Sequence, residues 1–183
     1  MNMTPKTTER RDEILSVAER HMRAGGYDAI SFREIAAAIG IKSASVHYHF
    51  PQKSDLGEAV VTRYAARVQA FLGVPDDPAE TPAIRLARLC AVYQTALLKE
   101  DLNCLCCVLG AESKDLPDPV AEAVAEFFTT LLDWAGRALE NNPRLPPAYV
   151  ISALQGAMVL ATATGRRALF TQTVTALTAC LSE

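Results

Sequence analysis

Between Ser31 and Phe50 the chain sets two short apolar-periodic runs around a glycine at position 40, an arrangement that fixes both helices and the turn between them. Ser31-Phe32-Arg33-Glu34 has the form of a capping box: the serine oxygen takes a backbone N–H three residues on and the glutamate reaches back. Ile30 and Ile35 are spaced to close a hydrophobic staple around it. A helix over 32–39 follows, and Gly40 supplies the positive φ that a tight inter-helix turn needs. A second short helix over 43–49 ends against Pro51. Two short helices joined in this way form a helix-turn-helix, whose second helix fits the major groove of DNA while the first crosses the backbone.

The rest of the chain is also helical in pattern. Apolar positions recur at helical spacing almost everywhere, and no alternating run bounded by hairpin turns interrupts them, so the fold class is all-α with about nine helices. A first helix over about 8–24 puts Ile14, Ala18 and Met22 on one stripe, with Arg11, Glu19 and Arg23 largely outside, and stops at Gly25-Gly26. From Lys53 a longer helix runs to about Leu72, ahead of an acidic, proline-containing loop. Further helices are expected over about 82–100, with Asn103 capping the next at 104–112, then over 119–141, 147–163 and 166–181. The division this implies is a three-helix DNA-binding domain over 1–55 and a helical effector-binding and dimerisation domain over 56–183.

An apolar content of 50% over 183 residues supports a folded core. The net charge of −3 argues superficially against nucleic acid, so its distribution matters more than its sum. Residues 1–63 hold nine Lys/Arg against eight Asp/Glu, leaving −4 for the remainder, and all three histidines (His21, His47, His49) lie in that first part. A small DNA-binding patch on an acidic body is compatible with this. Five cysteines, three of them crowded at Cys104, Cys106 and Cys107, fit reduced thiols better than a disulfide framework. The polar opening residues and the lack of a long uncharged apolar run point to a cytoplasmic protein with no membrane partner.

Advancing about 100° per residue along the second short helix puts Val46 and Phe50 on one side as anchors. Ala44 and Tyr48 point away from them, flanked by Ser45 and His47. Those types suit DNA: a hydroxyl bonds a base edge or phosphate, alanine touches a thymine methyl, and His or Tyr donates to phosphate oxygens. Ser31, Lys42 and Lys53 complete the candidate DNA-binding set.

Phe32-Arg33-Glu34-Ile35-Ala36 and Gly40-Ile41, followed by Ser45-Val46-His47-Tyr48-His49-Phe50-Pro51-Gln52-Lys53-Ser54-Asp55-Leu56, resemble the DNA-binding domain of the TetR family of repressors. The resemblance implies an all-helical homodimer on double-stranded operator DNA, with the last two helices of each chain forming the dimer contact. It also implies that Lys53, opening the fourth helix, contacts phosphate. His47 stands where the family usually has tyrosine, with Tyr48 beside it, so either could make the neighbouring phosphate contact.

In the second domain, Tyr93, Phe127, Phe128, Leu131 and Trp134 are candidates for an apolar effector pocket, with ordinary core as the alternative. Gly156 and Ala157 in the Ala-rich segment 147–163 would let a partner helix approach closely. With Asn103 as N-cap, Cys104, Cys106 and Cys107 would share a first helical turn, where the helix N-terminus favours thiolate. Cys104 and Cys107 would lie about 60° apart and could pair, whereas a metal site would require the helix to break. The alternative is that these are small buried hydrophobes. The segment from Asn103 through Glu112 to Pro117 also resembles a TetR branch that senses electrophiles and oxidants, which implies Cys104 as the sensing residue. Taken together the sequence predicts a non-enzymatic repressor without cofactor or metal, released from DNA by a small molecule or an electrophile. The competing function is a thiol-redox enzyme using Cys104 and Cys107.

Overall fold

Helical periodicity becomes nine α-helices, and no strand occurs among the described residues. The computed structural model describes residues 5–181; residues 1–4 of the polar opening segment and residues 182–183 lie outside the described residues. The helices are α1 (Pro5–Gly25), α2 (Phe32–Ala38), α3 (Ser43–His49), α4 (Lys53–Leu72), α5 (Pro82–Gln94), α6 (Leu105–Ala111), α7 (Asp118–Ala138), α8 (Pro147–Thr164) and α9 (Ala168–Ala179). A 3-10 turn at Tyr27–Ala29 follows α1, and a π turn at Thr95–Lys99 carries α5 to the end expected for it.

The ends of these helices differ in detail from the sequence expectation. Ser31 Oγ accepts from the Glu34 N–H at 3.4 Å, which is the serine half of the expected box, while Glu34 itself is exposed. A reciprocal box forms instead at the start of α4, where Gln52 caps the helix and its own N–H donates to Asp55 Oδ2 at 2.9 Å. That box sets Lys53 as the first residue of α4. Gly40 adopts φ 67, as the turn between α2 and α3 requires. The expected helix to residue 141 closes earlier, because Glu140 and Asn141 both take positive φ.

In the N-terminal part, Ile14, Ala18 and Met22 of α1 are buried in a continuous core that includes Ile35 of α2, Val46 of α3 and Leu56 of α4. Ile30 and Ile35, the expected staple, are both buried. Farther along, α4 packs against α5, α6 and α7 as well as α1, so one helix belongs to both parts of the chain. Gly57 marks a close approach on α4: a Cβ there would lie 2.8 Å from Tyr27 Cε2 and 3.0 Å from Val120 Cγ2. The last two helices pack on each other and lean on α5 and α7.

One expectation for α1 is overturned. Glu19 and Arg23 are not solvent-facing but buried. Glu19 faces Arg63 and Arg67 of α4, and Arg23 reaches Glu100 and the Asn103 carbonyl, so each charge is taken inside together with counter-charges. An amphipathic stripe cannot reveal this, because the partners are remote in the chain.

Candidate functional site

α3 is held from beneath by Val46 and Phe50, both buried, with the Arg11 guanidinium 5.0 Å above the Phe50 ring. The opposite face is open: Ala44 and His47 are exposed and Tyr48 is 74% exposed, while Ser45 is half-buried between them. His47 rests edge-on against Phe32 of α2 at 4.6 Å, and Tyr48 projects beyond it against His49 at 5.4 Å. Partial burial, with the positive charges of Arg11 and Arg10, holds His49 below the usual imidazole range. Sequence reasoning passed over Arg11, whose reach to α3 is a tertiary feature.

The flanking groups lie on either side of α3 and at the start of α2. Lys42, the residue before α3, is exposed. Lys53 Nζ lies 3.0 Å from Asp28 Oδ1 and 4.5 Å above the centre of the Tyr27 ring. The Ser31 hydroxyl is engaged in capping α2. Ala44, Ser45, His47 and Tyr48 therefore share one surface, with Lys42 at one end of the helix and Lys53 following at the other.

In the second part of the chain, Phe127, Leu131 and Trp134 line a crevice of only about 30 Å³ with Val68 and Leu72. The Trp134 indole donates to the Gly73 carbonyl at 2.8 Å, and Phe128 packs against Phe127 at 5.4 Å. Tyr93 is buried elsewhere, its hydroxyl 3.4 Å from Gln155 Nε2. A larger opening, about 220 Å³, lies between α1, α4 and α5 and includes none of these five residues.

Cys104 itself is the N-cap of α6, in the place expected for Asn103. Asn103 is committed elsewhere: its carbonyl accepts from Arg23 Nε at 2.8 Å and its Oδ1 from Thr162 at 2.9 Å. The Cys104 N–H donates to Met158 Sδ at 3.1 Å, and its Sγ accepts from the Tyr64 hydroxyl at 3.4 Å. Cys104 and Cys106 are buried and Cys107 is half-buried. Burial pushes the thiols up, Cys107 to about 11, and outweighs the lowering expected at a helix N-terminus.

Residues 14–60 match the family of bacterial regulatory proteins described as the tetR family. No curated protein matches the chain. Among solved structures, a TetR transcriptional regulator from Legionella pneumophila is 28% identical over 95% of this chain and 96% of that one, with a TM-score of 0.82. A TetR-family regulator from Agrobacterium tumefaciens is 27% identical over 94% and 97%, with a TM-score of 0.85. The reduced form of NemR from E. coli shares the fold, at 21% identity over 91% and 94% and a TM-score of 0.72. Residues 14–60 thus carry the helix-turn-helix of the tetR family of bacterial regulatory proteins, and along nearly its whole length the chain has the fold of solved TetR-family regulators.

Proposed function

We propose that this chain is a homodimeric transcriptional repressor that binds a near-palindromic operator through α3 and is released when an effector occupies, or a thiol reagent modifies, the region after residue 55. The observation that carries the reading is the exposed face of α3. Tyr48, His47, Ala44 and Ser45 have no packing partner that accounts for all four, while Val46 and Phe50 fix the helix beneath them. On this reading residues 1–55 form the DNA-binding domain and 56–183 the effector and dimerisation domain. Ser45 and Ala44 read base edges; Tyr48, His47, Lys42, Lys53 and Ser31 address the phosphate backbone.

Effector release is supported by the opening between α1, α4 and α5 and by the Tyr64–Cys104 contact at its floor, through which a change at Cys104 would reach α4. A thiol-redox activity of Cys104 and Cys107 has no comparable support, since Cys104 is buried and burial pushes both thiols up. The test is a salt series on binding to DNA from the protein's own promoter region. With several phosphate contacts per dimer, log affinity should fall steeply with log salt, by about 0.9 per contact. A folded protein without affinity for that DNA at low salt would sink the repressor reading.

A further inference from the structure

The opening between α1, α4 and α5 has apolar walls, among them Val68, Phe71, Val92 and Ala96, and a charged end formed by Arg23, Arg67 and Glu100. The charges at that end do not balance. Three guanidiniums, Arg23, Arg63 and Arg67, share two carboxylates, Glu19 and Glu100. Glu19 alone serves three arginines, at 3.6 Å from Arg23, 3.3 Å from Arg63 and 2.6 Å from Arg67. Arg23 is 5% exposed, and its Nη2 has no hydrogen-bond partner. A buried guanidinium N–H without an acceptor is costly, so the site is short of one acceptor, and a charged one satisfies a guanidinium best.

A separate feature lies at the same place. The π turn Thr95–Lys99 contributes Thr95 and Ala96 to the wall and ends at Glu100, whose Oε2 is 2.6 Å from Arg23 Nη1. Single π turns inside helices concentrate at functional sites. Glu100 is half-exposed and belongs to the segment leading into α6, so it can leave Arg23 without unpacking the core.

We propose that this opening is the effector site and that it takes a small amphiphilic monocarboxylate. The carboxylate occupies Arg23 and Arg67, displacing Glu100, and the hydrocarbon body lies along Val68, Phe71, Val92 and Ala96. A carboxylate has two oxygens and can meet both the Arg23 N–H that Glu100 now takes and the one left without a partner, the apolar walls suit a hydrocarbon chain or aryl group, and a neutral ligand would leave the guanidinium unpaired. The proposal rests on reading the second part of the chain as an effector domain. It also supplies that reading with a route: release of Glu100 removes one of the ties on residues 100–103, whose Asn103 carbonyl is held by the same Arg23 and which lead directly into α6.

Calorimetric titration of the full chain with hexanoate, octanoate and 4-phenylbutyrate, each beside its primary amide, tests the site. At least one acid should bind saturably, once per protomer, and its amide should bind roughly tenfold more weakly or worse. Val92→Trp should abolish binding by filling the opening while leaving promoter affinity intact. The pair Arg23→Gln with Glu100→Gln, which leaves net charge unchanged, should remove the preference of acid over amide. The site is overturned if no acid binds at millimolar concentration, if acid and amide bind alike, or if folded Val92→Trp binds as the parent does. Saturable acid binding that leaves promoter affinity unmoved would uphold the site and overturn its role as an effector site.

Discussion

Lys53 opens α4 with its ammonium between the Asp28 carboxylate and the Tyr27 ring. The Asp28 contact is solvent-exposed and screened by salt, so a phosphate placed at the end of α3 competes with it readily. Lys53→Ala should therefore weaken binding to specific and unrelated DNA by similar factors and lower the salt slope by about one. Asp28→Asn should strengthen binding to both, because the ammonium no longer has an internal partner to leave. Binding isotherms at several salt concentrations check both variants, and an unchanged slope in Lys53→Ala would remove this residue from the phosphate contacts. The cysteines teach the opposite lesson at the same scale. A helix start favours thiolate only when the sulfur meets solvent, and Cys104, at 1% exposure beneath Tyr64, does not.

At the scale of elements, what was legible in the sequence depended on the range of the forces involved. The helix-turn-helix could be read because its signals are local: a serine cap, a glycine of positive φ, and two anchors one helical turn apart. The Glu19–Arg23 pair could not, because its burial is decided by Arg63, Arg67 and Glu100 on other elements. For the same reason the periodicity of 82–100 gave one helix where the chain inserts a π turn, and of the residues proposed as pocket walls Phe127, Leu131 and Trp134 line a crevice of only about 30 Å³ while Tyr93 is buried elsewhere. Gly57 illustrates the limit well. In sequence it is only a poor helix former, yet in the fold its missing side chain lets α4 meet Tyr27 and Val120 at once. Gly57→Ala should therefore destabilise the protein by about 1–3 kcal/mol through overpacking, against the slight stabilisation expected for an exposed helical glycine. Denaturant unfolding gives the sign directly, and a more stable variant would mean that Tyr27 and Val120 yield at no cost.

Across the whole molecule, α6 runs from the segment tied to the proposed effector site toward the helix-turn-helix part. Its N-terminal end follows the Arg23-tied segment, and at its C-terminal end Glu112 Oε2 accepts the Tyr27 N–H at 2.9 Å. Gly26 has to be glycine there, since its φ is 78 and a Cβ would collide with the Glu112 carboxylate. Tyr27 in turn lies under Lys53. On the proposed function a shift of α6 would be delivered to the helix-turn-helix part, and it would change operator affinity strongly only if two such parts are held at a fixed spacing of about one DNA turn. The surface suited to holding them is the outer face of α8, where Tyr149, Val159 and Leu160 are exposed and Gly156 has nothing near it. This helix is apolar enough over its 18 residues to cross a membrane, with a third of it buried; in the proposed homodimer the face left open is the contact with a second copy. Leu160→Glu should convert dimer to monomer in sedimentation equilibrium and, because linked half-sites gain about 10²- to 10⁴-fold in avidity, lower operator affinity by a factor in that range. Fold and single-half-site binding should survive, because Leu160 is 56% exposed within its own chain. A variant that remains dimeric with undiminished operator affinity would move the dimer contact away from α8.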